Sequence, residues 1–208
     1  MTIQTEVAQQ QEMQTESGSI RAAIRARRSR FPAEYTGERL DDAVVRQVLE
    51  SANWAPTHKM TEPWRFAVYC DEALQRLFSQ FARIYRETTP PERQVQAKID
   101  KFAALPDKVS HVVALIMQRD PARRVPEIEE ICAVACAVQN MHLALADFPG
   151  AGGYWSTGSG AFTPQMAEWL GLAADDRCLG FFYLGCVPPD QRSGRRGPVD
   201  RKIEWVRN

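Results

Sequence analysis

The segment Asn53-Trp54-Ala55-Pro56-Thr57-His58-Lys59-Met60-Thr61-Glu62-Pro63-Trp64-Arg65-Phe66 marks the passage from a helix into a strand. Pro56 ends the helix, because the residue before a proline is pushed out of the α region. Pro63 keeps a second helix from starting freely. Upstream, Asp41 or Asp42 begins an amphipathic helix with Val44, Val45, Val48, Leu49 and Ala52 on one face. Downstream, Trp64-Arg65 opens the apolar run Phe66–Cys70. The Thr57–Glu62 loop between them carries hydroxyls, an imidazole and an ammonium. A polar loop between a helix and a buried strand is a common place for a ligand.

Working outward, Ser19 is an N-cap for a helix through Ile20, Ala23, Ile24 and Arg27. Its end delivers Arg27-Arg28-Ser29. Two guanidinium groups and a hydroxyl suit a phosphate; a solvated basic helix end is the plainer alternative. Asp71 caps a long helix with Leu74, Leu77, Phe78, Phe81, Ile84 and Tyr85 inward, and Pro90-Pro91 breaks it. Gln94–Ala104 is a further helix. Ser110–Gln118 is a continuous apolar strand of the kind buried on both faces. Glu127–Phe148 is the strongest helix. Small residues run round most of it, so it is packed on several sides, by its own domain alone or also by a partner subunit. Cys132 and Cys136 share a face, as metal ligands do, but no second ligand pair lies nearby, so they read as small core residues. Thr163 caps a short helix that Gly171 ends, and Cys178–Cys186 is a second buried strand.

Composition excludes several classes. Lys+Arg and Asp+Glu both number 26, so the net charge is zero, which argues against bulk attraction to nucleic acid or an anionic membrane. No apolar run reaches the ~18 residues of a bilayer span. Met1–Gly18 lacks the apolar centre of a signal peptide and is expected to be a disordered tail. The five cysteines form no Cys-x-x-Cys pair, as expected of reduced thiols in the cytoplasm. Pro149–Gly160 holds five glycines but no clean Gly-x-Gly-x-x-Gly, and no Gly-x-Ser-x-Gly surrounds Ser156 or Ser159. Dinucleotide-fold and nucleophile-elbow readings are both weak.

Four segments, in this order, resemble the nitroreductase-like family of FMN flavoproteins. They are Arg27-Arg28-Ser29; Ala55–Lys59 with Glu62-Pro63-Trp64-Arg65-Phe66; Gly152-Gly153-Tyr154-Trp155-Ser156-Thr157-Gly158; and Arg195-Arg196-Gly197-Pro198, which follows the strand Phe181–Gly185. The resemblance runs from about Ser19 to the C-terminus. It implies an α+β sandwich over 19–208, with a mainly antiparallel sheet flanked by helices, as an intertwined homodimer with FMN at the subunit interface. Arg27, Arg28 and Ser29 would join Arg195 and Arg196 at the FMN phosphate. Gly194 stands where many members have a lysine, leaving Arg195 or Arg192 to compensate. Thr57 would meet the pyrimidine edge, and His58 and Lys59 the ring edge that becomes negative on reduction. The glycines would let backbone approach a flat ring lined by Trp155, Ser156 and Thr157. Leu74–Leu105 would set substrate access. NADH or NADPH would reduce the flavin, and a nitroaromatic, quinone or similar small acceptor would follow in ping-pong order, with no acid–base side chain clearly required. The rival readings are a reductive dehalogenase or flavin-degrading enzyme on the same fold, and a non-enzymatic flavin-binding dimer.

Overall fold

Every residue of His111–Met117 is buried, as the continuous apolar run requires. The structure, a computed structural model, describes residues 19–158, 160–189 and 194–207. The expected tail, 1–18, and Arg192 lie outside the described residues. The chain divides into two units, one formed by residues 1–28 with 190–208 and the other by Ser29–Pro189.

The larger unit holds a four-stranded sheet of β1 (Trp64–Cys70), β2 (His111–Met117), β3 (Ala151–Ser156) and β4 (Arg177–Cys186). Its order is β1-β2-β4-β3, antiparallel throughout. The helices are α1 (Ile20–Ala26) in the smaller unit, then α2 (Asp42–Asn53), α3 (Glu72–Thr88), α4 (Gln96–Ala104), α5 (Glu127–Ala144) and α6 (Pro164–Trp169).

Strand alternation splits the core in two. Val112, Ala114, Ile116, Phe181 and Tyr183 pack with α3, α4 and α6. Val113, Leu115, Met117, Phe182 and Leu184 pack with α2 and α5. Each buried Leu or Phe on these faces contributes about 1.5–3 kcal/mol. Both layers therefore depend on β2 and β4. Phe78 and Phe81 belong to this core, as expected.

Within Pro149–Gly160, Ala151–Ser156 pairs with β4 as an edge strand. Two expectations need correction. Asp71 does not cap α3 through its side chain; it lies at φ 50° and pairs with Arg39 instead. Cys132 and Cys136 are exposed, because they sit on the stripe of α5 turned away from the sheet. Seven residues of α5 are buried, so this helix, long and apolar enough by composition to cross a membrane, serves here as core.

Two polar clusters tie helices to the sheet. Arg119 and the buried Glu130 form an ion pair, and Glu130 also accepts from the Asp120 amide at 3.0 Å. That fixes the turn before α5. Asp120 is held down to about 2 by its bonds from Arg124. The second cluster joins α2 to β2. Ser110 Oγ accepts from Leu40 N–H at 2.8 Å and donates to His111 Nδ1 at 2.8 Å. His111 Nε2–H then donates to Asp42 Oδ1 at 3.0 Å.

Burial holds the His111 imidazole below its ordinary range, while hydrogen bonds from His111 and Arg39 hold the Asp42 carboxyl below its own. Above about pH 6.5 the imidazole is neutral folded and unfolded, so it adds no pH slope. Below that, the unfolded chain takes up a proton that the folded one resists, and stability falls with pH. The Asp42 contribution, present above the usual carboxylate range, is lost only at lower pH still. Urea midpoints are expected to drop between pH 7.5 and 5.5, and His111→Gln is expected to flatten that drop. An equally steep drop in the variant would assign it elsewhere.

Candidate functional site

The Thr57–Glu62 loop is a single 3₁₀ turn, His58–Met60, with an unusual backbone. Lys59, Met60 and Glu62 sit at φ 50°, 52° and 42°. Left-handed non-glycine residues cost about 1–3 kcal/mol each. The loop is held by its own side chains and by the start of α5. Thr57 Oγ1 accepts from Glu62 N at 3.2 Å and lies 3.1 Å from Thr61 Oγ1. His58 Nδ1 lies 2.5 Å from Glu129 Oε2. Lys59 Nζ donates to Arg124 O at 3.0 Å, and Arg124 Nη1 returns a bond to Lys59 O at 3.2 Å. The three candidates are thus committed to the chain's own framework. Pro56, Thr57 and His58 form one wall of a cleft of about 360 Å³, and Ile128, Cys132 and Cys136 of α5 form the other.

Trp155 and Thr157 line a different cleft, of about 760 Å³, with Ile131 and Ala135 of α5, Phe162 and Leu179. A register shift in the β2–β4 ladder makes this wall. Leu115 pairs with Gly180 and Ile116 with Cys178, leaving Leu179 as an extra residue. The Leu179 carbonyl accepts the Trp155 indole N–H at 3.0 Å. Gly180, at φ +118°, lets Ser156 O and the indole approach to within 2.5 and 2.8 Å of where a Cβ would stand. Trp155 therefore spends its N–H on the bulge and offers only its ring to the cleft.

The glycines of β3 have a packing role that the sequence reading missed. A Cβ at Gly153 would stand 2.5 Å from Leu145 Cδ1 and 2.7 Å from the Phe182 ring. One at Gly152 would stand 2.6 Å from Val187 Cγ1. Gly158 differs, because among the described residues a Cβ there meets only Ser156 Oγ, at 3.4 Å. Ser156 Oγ accepts from Gly158 N at 3.2 Å, which shapes the exposed turn holding Thr157. Of this segment, Thr157-Gly158 is the exposed part.

In the smaller unit, the two basic segments meet. Arg28 Nη1 donates to the carbonyls of Arg25 and Arg27 at 2.6 and 2.7 Å. Its guanidinium fills the space above Gly194, within 2.6–2.7 Å of where a Cβ would be. Arg28 thus takes the place a tail side chain would need, with Arg195 and Arg196 following directly. Ser29 opens the larger unit.

A model of the nitroreductase family matches residues 24–186, most of the chain. The protein belongs to the nitroreductase family. YfhC of Bacillus subtilis, described as a candidate NAD(P)H nitroreductase, is 27% identical over 187 residues, spanning 89% of this chain and 93% of YfhC. A nitroreductase-like family protein from Bacillus cereus superposes with a TM-score of 0.79 at 25% identity, covering 91% of this chain and 97% of that one. The fold is shared with NfnB of Mycobacterium smegmatis, an FMN-dependent nitroreductase solved with NADPH (TM-score 0.67, 16% identity, 89% and 96% covered).

Reading the segments alone missed Glu129 and Arg124. Nothing local signals that Glu129 meets His58, 71 residues away. The same holds for the bulge at Leu179. Among the glycines, Gly153→Ala is expected to lower Tm by several degrees through overpacking worth about 1–3 kcal/mol. Gly158→Ala is expected to stay within about 0.5 kcal/mol of the parent. Thermal melts of the two variants check the contrast, and equal melts would refute the packing role.

Proposed function

We propose that this nitroreductase-family protein is an FMN-dependent NAD(P)H oxidoreductase. It reduces quinones, nitroaromatics or similar electron-poor acceptors in ping-pong order, as a cytoplasmic homodimer. The observation that carries the flavin reading is the seating of Arg28 on Gly194, which brings the first basic segment onto the one that Arg195 and Arg196 continue in sequence. Guanidinium groups donate in pairs to an anion with several acceptor oxygens, and a phosphate is such an anion. Arg27 and Ser29 are the neighbouring donors.

The larger unit carries an apolar cleft, beside Trp155 and Thr157, that suits a flat ring. The Leu179 bond locks the Trp155 ring as a wall. FMN, when bound, supplies hydride acceptance and donation at its own ring. The protein holds the phosphate, walls the ring and sets the charge along its edge through His58 and Lys59.

Three observations support the dimer. Trp155-Thr157 and Thr57-His58 line separate clefts of one chain, on neighbouring stripes of α5. Ile128, Cys132 and Cys136, the α5 wall of the Thr57-His58 cleft, are exposed. The ends also lack cover: Ile20 and Ile24 of α1 are exposed, as are Ile203, Trp205 and Val206. A second copy along α5 buries the stripe and sets the His58 loop of one subunit over the Trp155 cleft of the other.

An absorbance spectrum before and after anaerobic NADH or NADPH tests this function. A flavin band that bleaches is the expected result; a protein that takes up no FMN would overturn it. Arg28→Ala with Arg196→Ala is expected to weaken FMN retention at least about 100-fold, two charge-assisted contacts being worth about 1.5–3 kcal/mol each.

A further inference from the structure

The His58–Glu129 pair is not explained by what it contributes to folding. The His58 side chain is 56% exposed and that of Glu129 41%. Ion pairs this open to solvent contribute about 0–1 kcal/mol. The loop that presents His58 carries three left-handed non-glycine residues, which together cost more than such a pair returns. The bonds between Lys59 and Arg124 and between Thr57 and Glu62 hold the turn in that shape. The imidazole stands in the wall of a cleft whose opposite side is apolar, from Ile128 to Cys136.

We propose that His58, oriented by Glu129, is the acid that protonates the acceptor as it receives hydride. The proposal rests on the oxidoreductase reading above. A quinone becomes a hydroquinone by gaining two electrons and two protons. Hydride brings both electrons and one proton. The second proton comes from His58 Nε2: the N–H bond breaks, an O–H bond forms on the acceptor, and the electron pair stays on the ring. What remains is the neutral Nδ1–H tautomer, and its one proton is the one Glu129 accepts at 2.5 Å. The carboxylate thus holds the same ring nitrogen before and after transfer, and the exposed ring regains its proton from water. Glu129 is the positioning residue, acting on the acceptor only through His58.

The test uses FMN-loaded protein reduced with dithionite, mixed in stopped flow with menadione or with ferricyanide. Menadione needs a proton with its electrons, whereas ferricyanide takes electrons alone. His58→Gln is expected to lower the menadione-to-ferricyanide rate ratio about 100-fold, the ordinary contribution of a general acid. In His58→Gly, added imidazole is expected to restore much of that ratio, which a merely structural defect would not allow. In the flavin-free protein, long-range ¹H–¹⁵N spectra are expected to show His58 as the Nδ1–H tautomer, with Glu129→Gln losing that preference. A ratio within twofold of the parent in FMN-loaded His58→Gln would overturn the proposal. An Nε2–H tautomer in the parent would overturn it too. Dithionite keeps the test apart from the coenzyme question: failure of NADH and NADPH to bleach the parent would overturn the coenzyme reading alone.

Discussion

Two-sided burial of β2 is the constraint on which the larger unit rests. A strand covered on both faces and paired on both edges forces helices onto each side of the sheet. The same alternation runs through β4, where Phe181 and Tyr183 face one core and Phe182 and Leu184 the other. Polar atoms at the strand's entry must then be satisfied internally, which Ser110, His111 and Asp42 do in one chain of bonds. Loss of either layer would leave the opposite one without a floor.

The bulge at Leu179 links this core to the candidate site. An extra residue on β4 frees one carbonyl from the ladder, and the Trp155 indole takes it. Gly180 makes the approach possible, and the outcome is an aromatic wall whose orientation is set by the sheet. The second wall comes from α5. That helix buries Ala133, Val134, Ala137 and Val138 against the sheet and presents other residues to both clefts. One helix therefore fixes the spacing between the Trp155 segment and the His58 loop.

Much of the fold was legible from local pattern. The helix at Asp42, its end near Pro56, the doubly buried strand and the long small-residue helix follow from periodicity and proline chemistry. The segment Pro149–Gly160 was misread because glycine has two uses that look alike in sequence. It frees backbone for a ligand, or it makes room for a neighbour's side chain. Gly152 and Gly153 do the second, and only the positions of Val187, Leu145 and Phe182 decide it. Cys132 and Cys136 were misplaced for a related reason, since small residues suit a core or an interface equally well.

Sequence by itself determined the element order, the two-sided strand, the family and the identities of the basic and aromatic candidates. These depend on local periodicity, on proline and on short motifs, which act over a few residues. Tertiary structure decided which of those residues meet. It set Arg28 into the space of Gly194, joined His58 to Glu129, and put Trp155 on a bulge no local signal announced. Such pairings join residues far apart in the chain, and their distances are fixed only once both faces of the sheet are packed.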